Sequence, residues 1–281
     1  MKAPKARGVR GVVPLQASKV KFWKAYAEGN SYLMLDHRAP VTRLLPWSVD
    51  QRQGIGGDGL LLVRWHAGGA WMRIFNADGT EAPMCGNGAR CVAALAIATG
   101  RAHDTVTVSC RGGTITHRMD ARDPYTLTGT VQVAADPLIR REQHVFHLDL
   151  GTPHCVIFRN LADLVPERDG PLWERARPGG TNVMFAHVRR PGELDVVPWE
   201  RGVGATAGCA TGAAAAAIAA ARMAPNWPAR SVVRQPGGSV EVAWRDRDLT
   251  LDIRGTVRII AEGTLDIPEG SRLDAASRPY R

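Results

Sequence analysis

The chain has 281 residues, of which 44% are hydrophobic and 22% charged, as in globular proteins with a sizeable core. No apolar run approaches the roughly 18 residues needed to span a bilayer, and no charged n-region precedes an apolar h-region as in a signal peptide. We therefore expect a cytoplasmic protein without a membrane partner. The net charge of +9 is scattered along the chain and no basic run is interleaved with aromatic residues, so we expect no nucleic-acid partner.

The cysteines predict free thiols in a reducing compartment. Their number is odd and no CxxC pair occurs, which excludes both a disulfide framework and a cysteine zinc site. Two of them are candidates for function, and three for small buried hydrophobic residues. The five are Cys85, Cys91, Cys110, Cys155 and Cys209.

The N-terminal part of the chain predicts a leader followed by strands. Residues 1–20 lack periodicity and carry many basic residues, which indicates a flexible basic leader. A turn at 28–31 separates strands at 21–26 and 32–36, and in it Asn30 either forms the turn or holds a ligand. A glycine-rich loop, 54–59, precedes a buried strand at 60–63. A dinucleotide-binding fingerprint follows a strand and opens a helix, so this order excludes a nucleotide site.

The central stretch predicts a cysteine at the start of a helix. A strand at 71–75 runs into a polar loop, then Cys85, Gly86, Asn87 and Gly88, and at once into an alanine-rich helix over 86–99. Unpaired backbone N–H groups at a helix start stabilise negative charge, and a cysteine there is expected to have a lowered thiol pKa. Strands follow at 105–110, 114–117, 127–133 and 145–150, with a domain boundary between 120 and 140.

The C-terminal part repeats this arrangement. His154 lies at a loop-to-strand junction, where a histidine either faces a cleft or is a structural residue of the core. Strands at 181–185 and 195–201 lead through a loop, 202–208, to Cys209 and a second alanine-rich helix. Further strands are predicted at 240–244, 249–253 and 257–261.

The two cysteine motifs share one pattern, Cys-x-x-Gly-Ala, and lie 124 residues apart. If the helices meet N-terminus to N-terminus, two thiols flank one small anion site, and one removes an α-proton while the other returns a proton to the opposite face. That chemistry is stereochemical inversion, as in a racemase or epimerase. The competing interpretation is a gene duplication whose cysteines only pack in the core.

The motifs taken together resemble those of the diaminopimelate epimerase family, enzymes that use two cysteines and no cofactor. The resemblance covers nearly the whole chain from about Lys21. The segments that carry it, in family order and spacing, are GIGGDGLLLV, IFNADGTEAPMCGNGARC, GTPHCV, TNVMF, WERGVGATAGCATGA and QPGGSVEV.

The resemblance implies an α/β (α+β) fold of two similar domains, each a curled antiparallel sheet around a central helix. The domains would span 21–130 and 131–258, with 259–281 returning to the first domain, and the protein would be a homodimer. The substrate would be a small amino acid, LL-diaminopimelate, converted to the meso form without cofactor or metal.

Site residues follow from the resemblance position by position. Cys209 matches the proton acceptor and Cys85 the proton donor for one direction, with the roles reversed in the other. His154 and Glu200 match residues that assist the thiols. The carboxylate cradle matches Gly86, Asn87, Ala210 and Thr211, and the substrate-holding positions match Asn30, Asn76, Asn182 and Arg201.

This chain departs from the family pattern near the distal end of the substrate. Thr152 and Ala205 replace an asparagine and a glutamate, and Ser31-Tyr32 replaces Asp-Phe after Asn30. Changed polar contacts shift substrate choice, so a racemase of histidine or of another basic amino acid is the alternative. Phenazine-type isomerases lack the paired cysteines, and the motifs of proline racemases differ. A binding protein without activity also stays open.

Overall fold

The computed structural model describes residues 18–36, 38–39, 41–133 and 135–267, and of Ser18, 41–43, Pro46 and Ile267 the backbone alone. Most of the predicted leader, 1–17, and the end of the predicted return segment, 268–281, therefore lie outside the described residues. None of the helices in the described part of the chain is long and apolar enough to cross a membrane.

The first half of the chain contains one long central helix and one short outer helix among its strands. The elements in chain order are β1 (Ser18–Ala27), β2 (Asn30–Asp36), α1 (Val41–Ser48), β3 (Gly59–His66), β4 (Gly69–Asn76), β5 (Glu81–Ala82), α2 (Gly86–Ala98), β6 (Thr105–Cys110), β7 (Gly113–Met119) and β8 (Thr126–Gln132).

The second half has the same series of elements. These are β9 (Leu138–Glu142), β10 (Val145–Asp149), β11 (Pro153–Phe158), α3 (Pro166–Glu174), β12 (Asn182–Arg190), β13 (Glu193–Glu200), β14 (Gly204–Ala205), α4 (Ala210–Met223), β15 (Arg230–Gln235), β16 (Gly238–Arg245) and β17 (Thr250–Thr256), followed by β18 (Arg258–Ile267).

Strand pairing repeats from one half to the other. The first half pairs in the order β18-β1-β2-β3-β4-β6-β7-β8, and the second in the order β9-β10-β11-β12-β13-β15-β16-β17. In both, the third and fifth pairings are parallel and the others antiparallel. β8 and β17, the last strands of the two series, pair with each other and join the halves into one continuous sheet. The mixed α/β, two-domain fold predicted from the resemblance is confirmed.

Each half has its own core around its central helix. The face of the curled sheet packs on α2 in the first half and on α4 in the second. Alanine fills α4 from Ala213 to Ala217, and these side chains are buried. A helix that is apolar all round belongs inside a core, and alanine both favours the helix and lets the sheet approach closely. The outer faces of the sheet are covered by separate apolar clusters that include α1 in the first half.

Several elements were not predicted. Neither α1 nor α3 was predicted, because each contains residues that ordinarily interrupt a helix: Pro46 in α1, and Gly170 and Pro171 in α3. β1 begins at Ser18, inside the span predicted as leader, and β18 pairs with β1 over nearly its whole length. The exact limits of the two domains remain a prediction.

Candidate active site

Cys85 and Cys209 are the N-cap residues of the two central helices. Both have extended backbone geometry, with φ −148° and ψ 116° at Cys85 and φ −137° and ψ 109° at Cys209. Each sulfur accepts the backbone N–H three residues on, from Gly88 at 3.3 Å and from Gly212 at 3.4 Å. The prediction that each cysteine starts a helix is confirmed, and the sulfur itself caps free donors.

The two helices meet at their N-termini. A Cβ atom placed on Gly86, the first residue of α2, would lie 3.2 Å from the Cβ of Ala210, the first residue of α4. These two residues occupy equivalent positions, so the axis relating the halves passes between them. Glycine at one of the two positions relieves a contact that two alanines would crowd. The free N–H groups of both first turns therefore border one space.

The glycines of the two motifs bring each helix against its sheet. A Cβ atom on Gly212 would lie 2.2 Å from Sδ of Met184, and one on Gly88 would lie 3.2 Å from a methyl group of Leu61. Met184 and Leu61 hold matching places in β12 and β3. The spacing Cys-x-x-Gly is thus a packing requirement in both halves.

Burial controls the state of both thiols. It raises the pKa of Cys85, and it raises the pKa of Cys209 well above its usual value. The negative charges of Glu200 and of the other thiolate raise the pKa of Cys209 further. The expectation that the helix N-termini give thiols of lowered pKa is wrong for this conformation, because desolvation of the thiolate outweighs the N–H donors.

Glu200 lies beside Cys209. The thiol of Cys209 donates to its carboxylate, and burial raises the carboxyl pKa. The hydroxyl of Thr206 donates to Oε1 of Glu200 at 2.7 Å and fixes that carboxylate. The arrangement places a proton acceptor against one of the two sulfurs.

His154 reaches Cys209 through Thr211. The imidazole is fully buried, and burial lowers its pKa to about 4. Nδ1 lies 2.8 Å from the carbonyl oxygen of Thr152, which only accepts, so Nδ1 carries the proton and Nε2 accepts the hydroxyl of Thr211 at 3.1 Å. Oγ1 of Thr211, having given its hydrogen to the imidazole, is left as a second acceptor for the thiol of Cys209, whose sulfur lies 3.6 Å away.

A buried polar network supports the start of α2. Asn87 donates to Oδ1 of Asn30 at 2.8 Å and accepts from Arg90 at 3.2 Å. Arg90 in turn is ion-paired with Glu28, and both side chains are buried. Asn30 is thereby fixed against the first turn of α2 and is more than a turn-forming residue.

The remaining predicted residues lie at or next to the ends of strands. Asn76 ends β4 and donates to Thr80 at 3.0 Å. Asn182 begins β12 and accepts the backbone N–H of Arg201 at 2.9 Å. Arg201 is exposed, and its guanidinium donates to the carbonyl oxygen of Gly179 at 2.9 Å. In this conformation these three residues bind their own loops, whereas the cradle residues and both thiols already lie together.

Sequence reasoning missed Tyr32 as a site residue. Its hydroxyl lies 3.1 Å from the sulfur of Cys85, and burial raises its pKa well above its usual value. The signal was the replacement of phenylalanine by tyrosine beside Asn30. The contact itself spans 53 residues of sequence, which no local pattern encodes.

Within the described residues, no cluster of three or more histidine, cysteine, aspartate or glutamate side chains could hold a metal ion. The donors that converge on the site are thiols, one carboxylate, one neutral imidazole and backbone N–H groups. These groups move and stabilise protons and anions.

Comparison with known proteins identifies the family. The family model for diaminopimelate epimerase matches residues 22–134 and 146–259. A diaminopimelate epimerase of Synechococcus sp. (strain JA-3-3Ab) is 35% identical over 263 residues, covering 81% of this chain and 91% of the relative. One of Acidiphilium cryptum (strain JF-5) is 34% identical, with coverage of 87% and 96%. The solved structure of a predicted epimerase from Pseudomonas aeruginosa has the same fold, with a TM-score of 0.66 at 15% identity and coverage of 88% and 99%. By its sequence and its duplicated fold, the chain belongs to the diaminopimelate epimerase family.

Proposed function

We propose that the protein inverts the α-carbon of LL-diaminopimelate to give meso-diaminopimelate, without a cofactor. The observation that carries the proposal is the meeting of two cysteine-capped helices at equivalent residues, Gly86 and Ala210. The family relationship supplies the substrate, since the matched relatives are named diaminopimelate epimerases.

The reacting carboxylate binds at the joined helix N-termini. The backbone N–H groups of Gly86, Asn87, Ala210 and Thr211 belong to the first turns of α2 and α4 and lack helical partners. They stabilise the ground-state carboxylate and still more the enediolate-like charge that develops when the α-proton leaves. The α-carbon then lies between the sulfurs of Cys85 and Cys209.

Inversion needs one thiolate and one thiol. The thiolate takes the α-proton from one face, and the thiol gives its proton to the other face of the planar carbanion. Glu200 and Oγ1 of Thr211, which His154 fixes, are the two acceptors that orient the single hydrogen of the Cys209 thiol. A neutral imidazole suits this role, because a protonated one would make Thr211 turn its hydrogen toward the sulfur.

The distal end of the substrate distinguishes the proposal from its alternative. Asn30, Asn76, Asn182 and Arg201 are proposed to hold the substrate, with the planar fork of Arg201 on a carboxylate. Two of the three departures are mild: Ala205 is exposed and Thr152 is half-buried, and the carbonyl oxygen of Thr152 rather than its side chain binds His154. At these two positions no buried side-chain polar atom lacks a partner, which favours diaminopimelate over histidine or another basic amino acid.

The experiment is a chiral assay of the purified, reduced protein against LL-diaminopimelate, histidine, lysine, ornithine and arginine. We expect meso-diaminopimelate to form and the other four amino acids to keep their configuration. Racemisation of histidine or of another basic amino acid, with diaminopimelate unchanged, would replace the proposed substrate. Inversion of none of them would favour a binding protein.

We also propose that the protein acts in the cytoplasm as a homodimer on a small-molecule substrate. Five free cysteines suit a reducing compartment, and the dimer is what the family resemblance implies. Light scattering on the eluting size-exclusion peak tests the dimer, which a mass near 30.4 kDa, that of one chain, would contradict.

A further inference from the structure

Tyr32 and His154 occupy equivalent places in the two halves. Each lies three residues after a glycine with positive φ, 96° at Gly29 and 85° at Gly151. Each begins the parallel pairing of its strand with the next, Tyr32 opposite Gly59 and His154 opposite Asn182. The burial of the following residues in β2 and β11 also matches. The duplication therefore assigns these two different side chains to one structural position.

Both side chains point toward the N-cap cysteine of their own half. The hydroxyl of Tyr32 contacts the sulfur of Cys85 directly at 3.1 Å. The imidazole of His154 reaches the sulfur of Cys209 through the hydroxyl of Thr211, with steps of 3.1 and 3.6 Å. The side chain at this position is thus hydrogen-bonded to the cysteine sulfur in both halves, directly in the first and through the hydroxyl of Thr211 in the second.

We propose that Tyr32 is a positioning residue of the inversion reaction, whose hydroxyl donates to Cys85 and holds it as the thiolate of the pair. The inference rests on the proposed function for its catalytic meaning. The hydrogen bond itself is a property of the free protein.

The direction of this hydrogen bond follows from chemistry. A thiolate has no hydrogen to donate, so Tyr32 must be the donor whenever Cys85 is ionised, together with the N–H of Gly88. Burial raises the pKa of Tyr32 well above its usual value, so the phenol remains a donor throughout the working pH range. Cys85 therefore faces donors.

The side chains around Cys209 are acceptors. Its single S–H hydrogen faces two of them, the carboxylate of Glu200 and Oγ1 of Thr211, whose own hydrogen is given to His154. Acceptors stabilise a thiol and oppose a thiolate. The side chains of the two halves thus make Cys85 the sulfur that ionises first and keep Cys209 as the thiol, although burial raises the pKa of both.

The form with a Cys85 thiolate and a Cys209 thiol is complete for one turnover of the isomer whose α-hydrogen faces Cys85. The C–H bond breaks as an S–H bond forms on Cys85, and the S–H bond of Cys209 breaks as a C–H bond forms on the opposite face. The enzyme is left with a Cys85 thiol and a Cys209 thiolate, the form that accepts the opposite isomer. Cys209 then takes a proton from water and Cys85 loses one to water, which restores the starting form.

The test is Tyr32→Phe, which removes the hydroxyl and keeps the buried ring. Hydrogen bonds to charged groups contribute about 1.5–3 kcal/mol, so the variant is expected to hold about ten- to hundredfold less Cys85 thiolate at a given pH below its pKa. Alkylation of Cys85 by iodoacetamide, followed by peptide mass spectrometry across a pH series, measures this without substrate. With diaminopimelate, kcat/KM falls by the same factor in both directions, because the equilibrium constant is unchanged. The acid limb of the pH profile of kcat/KM moves to higher pH.

Tyr26→Phe is the matched control. Tyr26 lies on the adjacent strand β1, and its hydroxyl donates to the carbonyl oxygen of Gly237 at 2.7 Å instead of to a sulfur. We expect this variant to keep the wild-type pH profile of Cys85 alkylation, whatever its melting temperature.

The two possible failures are separable. A Tyr32→Phe protein that folds and alkylates at Cys85 with the wild-type pH profile overturns the inference and leaves the proposed function standing. A wild-type protein that inverts no diaminopimelate overturns the proposed function, whereas a shifted alkylation profile in Tyr32→Phe would still establish the hydrogen bond to the thiolate.

Discussion

The two halves of the molecule have the same backbone and different polar side chains. Strand order, pairing direction, the two-residue strand before each cysteine and the capped helix all repeat. At equivalent polar positions, however, Tyr32 stands against His154 and Asn76 against Glu200. The comparison indicates that duplication supplied the same backbone support for two thiols, and that substitution around them gave one sulfur a side-chain donor and the other side-chain acceptors.

The central helices differ in the same way. α2 carries Arg90, which is buried and paired with Glu28, whereas the equivalent positions in the second half are Ala214 and Leu150. A buried ion pair stabilises little by itself, but removing one partner leaves an uncompensated charge. The pair anchors Asn87, and through it Asn30, at the start of α2, where the second half uses Thr211 and His154.

The largest effect is expected from either active thiol. Cys85→Ala and Cys209→Ala each remove one of the two proton carriers, so kcat/KM in the chiral assay is expected to fall by about a thousandfold or more. Cys91→Ala is the control, because Cys91 is buried in α2 and alanine already occupies its equivalent position, Ala215. A single active-thiol variant that folds and keeps a tenth of the activity would contradict the two-thiol account.

The buried pair of the first half is expected to give the next largest effect. Glu28→Gln or Arg90→Met leaves one buried charge alone, so the free energy of unfolding is expected to fall by about 3–5 kcal/mol in urea titrations. The double variant Glu28→Leu/Arg90→Ala copies the second half and is expected to cost less than the sum of the two single replacements by the same residues. Simple additivity would show that the pair is not a coupled unit.

His154 in the second half makes the free energy of unfolding depend on pH in the acid range, whereas Tyr32 in the first half does not. Burial lowers the pKa of His154 to about 4 in the folded protein, from 6.5 for a histidine in an unfolded chain. The unfolded state therefore binds more protons between these values, so stability is complete above pH 6.5 and falls until pH reaches about 4. The loss from this group is about 3 kcal/mol, at about 1.4 kcal/mol per pKa unit.

Urea titrations of wild type and His154→Asn, at neutral pH and at about pH 4.5, check this prediction. The variant is expected to lose less stability on acidification than the wild type does. His117, whose pKa burial lowers to about 3, contributes equally to both proteins and cancels. Parallel acid losses in the two proteins would contradict the assignment of His154 as a buried neutral group.

The smallest effect is expected at the hydroxyl between His154 and Cys209. Thr211→Val keeps the shape and the backbone N–H but removes the acceptor that orients the thiol, so kcat/KM is expected to fall about tenfold. Thr116→Val, on the exposed face of β7, is the control. Unchanged kinetics for Thr211→Val would show that Thr211 does not orient the Cys209 thiol and would leave that role to Glu200 alone.

The duplicated motif predicted the two helix starts because its information is local. Cysteine as a cap, glycine for close packing and alanine for the helix all lie within a few residues of one another. The helices α1 and α3 were missed because prolines and a glycine inside them are tolerated only through tertiary packing.

The electrostatics of the site could not be predicted in the same way. The motif shows the backbone N–H donors, which lower the pKa of a thiol. Burial raises the pKa of both thiols, and burial depends on the whole fold. The partners of the sulfurs are likewise distant in sequence, as Tyr32 is from Cys85 and His154 from Thr211, each by 50 residues or more.

The measurement that tests the central claim most directly is isotope incorporation at early times in heavy water. If two sulfurs act from opposite faces of one α-carbon, the inverted product carries deuterium at that carbon while the recovered starting isomer keeps its hydrogen. Deuterium appearing equally fast in both isomers, or product that retains its original hydrogen, would show a single base and contradict the account.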